Sequence, residues 1–494
     1  MPAPAAVPVV QSVPRWAPAI VLAVFVLQMV SASGLKSPTF DETGDIAAGV
    51  SYLQNRSVWL NLQHPPLLKE LSALPVWLSG ARLPADANQP GRERDYGAKL
   101  IQANGIDGTM WLARVPMMLV AAMLGAVIWL WGRELVGERA ALGALFLFAL
   151  DPTILAHGYL ATTDVGFAAF AMLFLWVVWK RSHWAICGAA AGLMLATKFT
   201  GVMVVMVVVV LLLIDRRPWK DLLLATMVAS VVVQLFYFSP DGLYLYSLGM
   251  QQVNQDHNPN YLVYFGGEFA HSFPFYFAQA WLLKAPIATL IAAAAGLWFA
   301  RGLDRRAKLY LFAPAAVLFL GYSGWADDLG IRYIIPVMPF AFLLGGLALA
   351  KLPRAVSAVL AMWALVAAIG IWPDHLSYFN EAACLLKEPA KIGLDGGSRC
   401  GTYWLDDSNI DWGQGYRQLK QWAAGRAVNV AGFSSFPASA YGFREVGFED
   451  LPKTPEKGLW AVSAHIVARA PVEWLKTMQP VAVVGHAMWV YEVK

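Results

Sequence analysis

Apolar residues gather along this chain into long, almost uninterrupted runs, separated by short linkers or by longer polar stretches. The runs fall near residues 16–33, 109–132, 139–156, 161–179, 183–199, 200–214, 221–238, 276–300, 308–324, 333–350 and 355–372. A helix needs ~20 mostly apolar residues to cross the ~30 Å hydrocarbon layer of a bilayer, so each run, extended by its flanks, predicts a membrane span. That makes about eleven spans, with two short runs meeting at "TKFTG" inside 183–214. The first run follows Arg15 and ends in "SAS", which also suits a cleavable signal; its length and the spans that follow favour an uncleaved span.

The linkers fix an orientation. "GRELVGER", "WKRSHW", "DRRPWK", "RGLDRRAK" and "KLPR" all fall on one side if the spans alternate, and their Lys and Arg mark that side as cytoplasmic. The opposite side receives residues 34–108, 239–275, 325–332 and everything after about 373. There the pattern changes: "YWLDDSNIDWGQGYRQLKQWAAGRAVNVAGF" runs from a polar turn through a helix-like to a strand-like stretch. The expected fold is therefore mainly α. A polytopic helical bundle occupies residues 1–372, and a small soluble α/β domain on the non-cytoplasmic side occupies 373–494.

Composition supports this division. Of 494 residues, 58% are hydrophobic and 14% charged, too few charges to cover a soluble protein of this length. The net charge of +4 is small and scattered, which excludes a nucleic-acid surface. The 21 Trp and 17 Tyr suit interfacial belts, though core packing accounts for many equally well. Cys187 lies in a predicted span. Cys384 and Cys400 lie on the outer side, where disulfides persist; spacing leaves their pairing open.

Asp41, Glu42, His64, Lys69, Arg114, Asp164, Lys198, Glu268, Lys284 and Arg332 all map to the outer face or the outer ends of spans. A charge at bilayer depth costs ~2.5–3.5 kcal/mol, so such residues are paired, hydrated or functional. "FDETGD" offers carboxylates just after a span, either as a general base or as a helix cap through Asp41 or Thr43. In "HPPLLKE" the prolines open a helix, and Lys69 in its first turn calls for an anion: a phosphate, Glu70 or Asp41. Asp164 in "LATTD" suits a helix start capped by Thr162 or Thr163. Arg332 in "GIRYIIPVMP" could fork onto a phosphate or snorkel to headgroups.

"FDE", "HPPLLK", "LARVP", "ATTD", "LATKFTG" and "GIRYIIPVMP" stand in the order found in the dolichyl-phosphate-mannose–protein mannosyltransferase and aminoarabinose transferase superfamily. The chain resembles this family, glycosyltransferase family 39 with its GT-C membrane fold, over residues 15–425; the tail "DDSNIDWGQGYRQLKQW" resembles bacterial members of unassigned substrate. The resemblance implies a polyprenyl-phosphate sugar donor and a protein, glycolipid or glycan acceptor. It implies transfer on the outer face of a bacterial inner membrane or in the lumen of the endoplasmic reticulum, the bacterial setting being preferred, by one inverting displacement. It implies Asp41, with Glu42 beside it, and Asp164 as catalytic residues, and His64, Lys69, Arg114, Lys198 and Arg332 around the donor phosphate. No cofactor is expected: the aminoarabinose branch has a metal-binding Glu beside the His, where this chain has Gln63, a poor zinc ligand.

Two other readings use the same residues. A flippase of lipid-linked sugar would show internal repeats, and none is visible. A non-catalytic assembly subunit would work through its tail, where Trp404, Asp407, Asn409, Asp411, Trp412 and Gln414 form either a sugar-binding cluster or a buried turn network. Residues 239–275 read as an acceptor lid or as a helix lying on the surface.

Overall fold

A computed structural model describes residues 13–255, 258 and 260–494 of the chain. The Ala/Pro-rich residues 1–12, and Asp256, His257 and Pro259 in the 239–275 connection, lie outside the described residues. Every expected run is helical. The helices are α1 (Ala17–Ser33), α2 (Phe40–Asn55), α3 (Leu67–Leu78), α4 (Glu93–Ala103), α5 (Ile106–Leu135), α6 (Glu138–Ala149), α7 (Pro152–His157), α8 (Asp164–Trp179), α9 (Trp184–Leu195), α10 (Gly201–Ile214), α11 (Trp219–Phe236) and α12 (Gly242–Gln255). They continue as α13 (Tyr276–Lys284), α14 (Ile287–Phe299), α15 (Arg305–Trp325), α16 (Met338–Lys351, entered through a 3₁₀ turn at Ile331–Val337) and α17 (Arg354–Gly370).

The runs are not eleven straight spans. Among the described residues, α5, α11, α15 and the stretch Ile331–Lys351 are long and apolar enough to cross alone. Helices α1, α8, α9, α10 and α17 are shorter apolar helices. Run 276–300 becomes α13 and α14, bent by 118°. Pro286 has no N–H with which to continue α13, and its ring excludes helical geometry at Ala285, which is extended. Run 139–156 likewise breaks at Asp151–Pro152, where the Asp151 carboxylate caps α7 by accepting from Ile154 N at 3.1 Å.

Helices α6 and α16 pack closely through small residues. A Cβ on Gly346 would stand 2.1 Å from the Ala140 carbonyl oxygen, so only glycine allows this approach. The linkers expected to be cytoplasmic share one end of the bundle. Lys180 pairs with Glu134 at 3.0 Å, while Arg306 and Arg181 reach Asp215 at 3.2 and 3.8 Å.

A two-stranded hairpin, β1 (Val263–Phe265) and β2 (Glu268–Ala270), lies in the 239–275 connection. The C-terminal region carries β3 (Val428–Ala431), β4 (Arg444–Glu445), β5 (Gly458–Ser463), β6 (Ala482–Val484) and β7 (Met488–Val493). These form one mixed sheet in the order β4-β3-β5-β7-β6, with buried Val430, Ala461 and Val490 in register across its centre. The expected boundary at 372/373 is a break in hydropathy, not in packing. Asn380 donates to the Leu283 and Ala285 carbonyls at 2.8 and 2.7 Å, and Phe40 N donates to Trp412 O at 2.8 Å, so residues 374–415 are tied to the bundle. Cys384 and Cys400 form a disulfide, and Cys187 is buried and free.

Candidate active site

Helix α2 starts differently from either expectation. Neither Asp41 nor Thr43 caps it; Thr39 does, and the Glu42 carboxylate accepts from Thr39 N at 2.9 Å and from its hydroxyl at 3.1 Å. Each residue of a helix turns its side chain by about 100°, so the next-door carboxylates face different surroundings. Glu42 points inward and is fully buried, gripped by Arg114 at 2.8 and 2.7 Å and by Ala161 N at 3.1 Å. Burial pushes the Glu42 carboxyl up, but Arg114 and these N–H donors outweigh burial and hold it below the usual range. Arg114 spends its remaining donors on the Ser33, Lys36 and Ser37 carbonyls at 3.1, 3.2 and 2.9 Å. Glu42 and Arg114, expected at the chemistry and at the donor phosphate, are instead a closed pair tying α5 to the start of α2.

Asp41 faces outward from the same helix. Its carboxylate accepts from Arg332 at 2.8 Å and stands 3.6 Å from Arg94. Arg332 is 4.0 Å from Asp164, which in turn holds Lys198 at 2.6 Å. Arg94, Asp41, Arg332, Asp164 and Lys198 thus form an alternating chain of charge across α4, α2, the turn before α16, α8 and the α9–α10 link. It carries three cations against two carboxylates. The chain runs inward from Arg94, 44% exposed, to Lys198 and Asp164, 6% and 4% exposed, so its outer end is open to water. The Arg332 guanidinium lies over the Trp412 ring at 4.3 Å and the Tyr333 ring at 5.4 Å, and its Nε has no hydrogen-bond partner among the described residues. Asp164 starts α8, but no side chain caps it.

Lys69 lies outside the alternating charge chain and finds its partners on the loop before α3 and on α2. It is buried, donates to Asn61 Oδ1 at 3.0 Å and to the Gln63 carbonyl, and finds its anion in Asp45 at 4.0 Å rather than in Glu70 or Asp41. Burial pulls its ammonium down to about 8. His64 adopts a left-handed backbone with φ of 61° just before Pro65 and Pro66, and its buried Nδ1 has no hydrogen-bond partner among the described residues. Burial, then the neighbouring Lys198 and Lys69, hold His64 well below its usual pKa and so neutral. Lys284 is buried against the Leu376 carbonyl at 2.7 Å, and Glu268 lies on the exposed hairpin strand, both outside the charge chain. Among the described residues no three His, Cys, Asp or Glu side chains converge as a metal-binding group.

The tail cluster is largely a buried network. Gln414 accepts from Trp412 N at 2.6 Å, Asp411 from Gly413 N at 2.9 Å, and Asn409 from Ile331 N at 2.9 Å. Trp404, half-buried, donates to the Ala383 carbonyl at 2.8 Å. Trp412 is the member that meets the site, as the floor under Arg332. Helix α12 lies on the site loop: a Cβ on Gly249 would be 2.5 Å from Leu62 O. Sequence reading missed Arg94, which stands on α4 in a polar stretch where no spacing marks it. It also missed the role of Trp412, although the aromatic cluster had drawn notice.

These features describe a mainly helical bundle with a charged site at one end, similar in fold to the GT-C membrane proteins. Residues 101–244 match the family model described as dolichyl-phosphate-mannose-protein mannosyltransferase, in agreement with the expected resemblance. Two solved structures share the fold over nearly the whole chain. ArnT from Cupriavidus metallidurans in the apo state superposes with TM-score 0.53 at 16% identity, and the same protein bound to undecaprenyl phosphate with TM-score 0.51 at 15% identity. Each alignment covers 96% of this chain and 97% of ArnT. No curated protein matches the chain by sequence.

Proposed function

We propose that this chain is an integral-membrane glycosyltransferase that moves a sugar from a polyprenyl-phosphate donor to an acceptor, in one inverting displacement. The observation that carries the reading is the alternating chain Arg94–Asp41–Arg332–Asp164–Lys198, which joins fixed cations to carboxylates at the ends of the spans. A polyprenyl phosphate leaves well only if its growing negative charge meets cations already in place. Arg332 and Lys198 supply them, with the guanidinium braced on Trp412. A carboxylate of α2 takes the acceptor proton, and Asp41 is the one its sequence motif nominates. The solved ArnT bound to undecaprenyl phosphate, on the same fold, supports a donor of this class.

The site faces the extracytoplasmic side of a bacterial inner membrane in this reading. Helix α8 begins at Asp164 and ends at Trp179, beside the Lys180–Glu134 pair, so the site and the basic linkers sit at opposite ends of one helix. Basic linkers stay in the cytoplasm, which puts the site outside. The Cys384–Cys400 disulfide belongs to the same oxidising side.

The test uses full-length protein in nanodiscs. Undecaprenyl phosphate binding is measured by native mass spectrometry for wild type and Arg332→Gln. Replacing a charged hydrogen bond should cost ~1.5–3 kcal/mol, a ~10–150-fold weaker Kd. Equal binding by the two proteins would remove Arg332 from the donor site. Release of free undecaprenyl phosphate from a panel of undecaprenyl-phosphate-linked hexoses and pentoses marks a transferase; a flippase changes only their sidedness.

A further inference from the structure

Asp41 and Asp45 are four residues apart on α2, so both project from one face of that helix, roughly 5–6 Å apart at their Cβ atoms. Their engagements differ. Asp41 is claimed on one oxygen by Arg332 at 2.8 Å and approached on the other by Arg94 at 3.6 Å. A proton arriving there would displace two cations. Asp45 has no hydrogen-bond donor within reach among the described residues. Its nearest charge is Lys69 at 4.0 Å, and that ammonium already donates to Asn61 and Gln63. The Asp45 side chain is 14% exposed, enough for an acceptor to touch it.

From this geometry, and resting on the transferase reading above, we propose that Asp45 is the catalytic base that accepts the acceptor's proton, while Asp41 is the positioning counter-ion that holds Arg332. The step balances. The acceptor O–H proton passes to Asp45 Oδ as the acceptor oxygen bonds to the anomeric carbon. The bond from that carbon to the phosphate oxygen breaks, and its electron pair leaves with the polyprenyl phosphate.

The surroundings suit a proton acceptor near neutral pH. Burial lifts the Asp45 carboxyl, Lys69 on α3 opposes the lift, Asp41 adds to it, Arg94 on α4 opposes it and Asp164 on α8 adds to it; the outcome is about 7. A base poised near the working pH combines the right protonation state with a real drive to take the proton. Close packing holds it there. A Cβ on Gly49 would be 2.1 Å from Lys69 O, so the glycine lets α2 and α3 approach closely enough to set Asp45 beside Lys69.

The experiment compares Asp45→Asn, Asp41→Asn and wild type, in nanodiscs, on the same panel of undecaprenyl-phosphate-linked sugars. Asp45→Asn should lose about 10²–10⁴-fold in transfer to a hydroxyl acceptor while binding undecaprenyl phosphate as wild type does, which also shows that it has folded. Azide, already anionic at neutral pH, needs no base; it should restore sugar transfer, as glycosyl azide, in Asp45→Asn and not in Asp41→Asn. The acid limb of the wild-type rate near pH 7 should vanish in the azide reaction of Asp45→Asn. Rescue of Asp41→Asn alone, or full turnover by Asp45→Asn with hydroxyl acceptors, overturns the assignment. A wild type that binds undecaprenyl phosphate but consumes no sugar of the panel overturns the transferase reading instead.

Discussion

The buried Arg114–Glu42 pair offers the sharpest check on which charges hold the fold and which serve a ligand. In Arg114→Met the guanidinium disappears while the long apolar stem remains. Among the described residues Glu42, fully buried, then keeps only the Thr39 and Ala161 donors for a full negative charge, and the Lys36 and Ser37 carbonyls lose the guanidinium as well. Breaking a buried ion pair from one side costs ~3–5 kcal/mol, because the remaining charge is left without its counter-ion and without water. Domains of 150–250 residues lose about 2–4 °C of Tm per kcal/mol; a chain roughly twice as long loses about half that, so the expected fall is ~3–10 °C. Thermal unfolding in detergent, followed by Trp fluorescence, reads it. Adding Glu42→Gln to Arg114→Met should recover part of the loss, since the uncompensated charge is gone. The reasoning fails if Arg114→Met melts within a degree of wild type yet no longer binds undecaprenyl phosphate. That result would return Arg114 to the donor site, where the sequence motif first put it.

His486 bridges Asp374 at 2.9 Å and Asp395 at 3.1 Å, tying the β6–β7 turn to the segment after α17. Burial lowers its affinity for a proton, but the two carboxylates outweigh burial and raise its pKa from 6.5 to about 9. Its contribution, on the order of 3 kcal/mol, is therefore complete below about pH 6.5 and lost as pH rises through 9; across that window Tm should fall in wild type relative to His486→Asn, so that the difference between the two narrows. Gly97 lets α4 press on α2, since a Cβ there would lie 1.9 Å from Thr43 O; Gly97→Ala should cost ~1–3 kcal/mol in Tm measurements and weaken undecaprenyl phosphate binding by separating Arg94 from Asp41. Reducing the Cys384–Cys400 bond, which closes a short loop with a sequence separation of 16, should cost ~3 kcal/mol, read as a lower Tm in reductant for wild type and no change for Cys384→Ser.

Hydropathy carried most of the fold, because a bilayer demands the same apolar length of every span whatever its neighbours. It could not show that run 276–300 doubles back, although Pro286 was in plain view. Apolarity sets where a segment is stable, and the direction it takes past a proline depends on what it packs against, here Asn380 and its bonds to the Leu283 and Ala285 carbonyls. The tail after residue 373 misled in a related way. Its polar residues looked soluble, yet Asn409, Asp411 and Gln414 spend that polarity on backbone groups in a buried turn.

Sequence reading had marked Asp41, Asp164, Lys198 and Arg332 of the charge chain but not Arg94, and it gave none of their contacts. Asp41 and Arg332 are 291 positions apart, and nothing in their order says that they touch. Asp41 and Glu42 are adjacent, and the family resemblance placed both at the chemistry as neighbours along the chain. A helix does the opposite. It rotates neighbours onto different faces and brings residues four apart together, so the natural partner of Asp41 is Asp45, and Glu42 belongs with Arg114. Had the stretch after the first span been read as a helix from Phe40 onward, that period alone would have separated the inward carboxylate from the outward pair. What no period supplies is the identity of each outward partner, because Arg94, Arg332 and Lys69 arrive on three other segments. Their choice decides which carboxylate of the pair is tied up and which is left to take a proton.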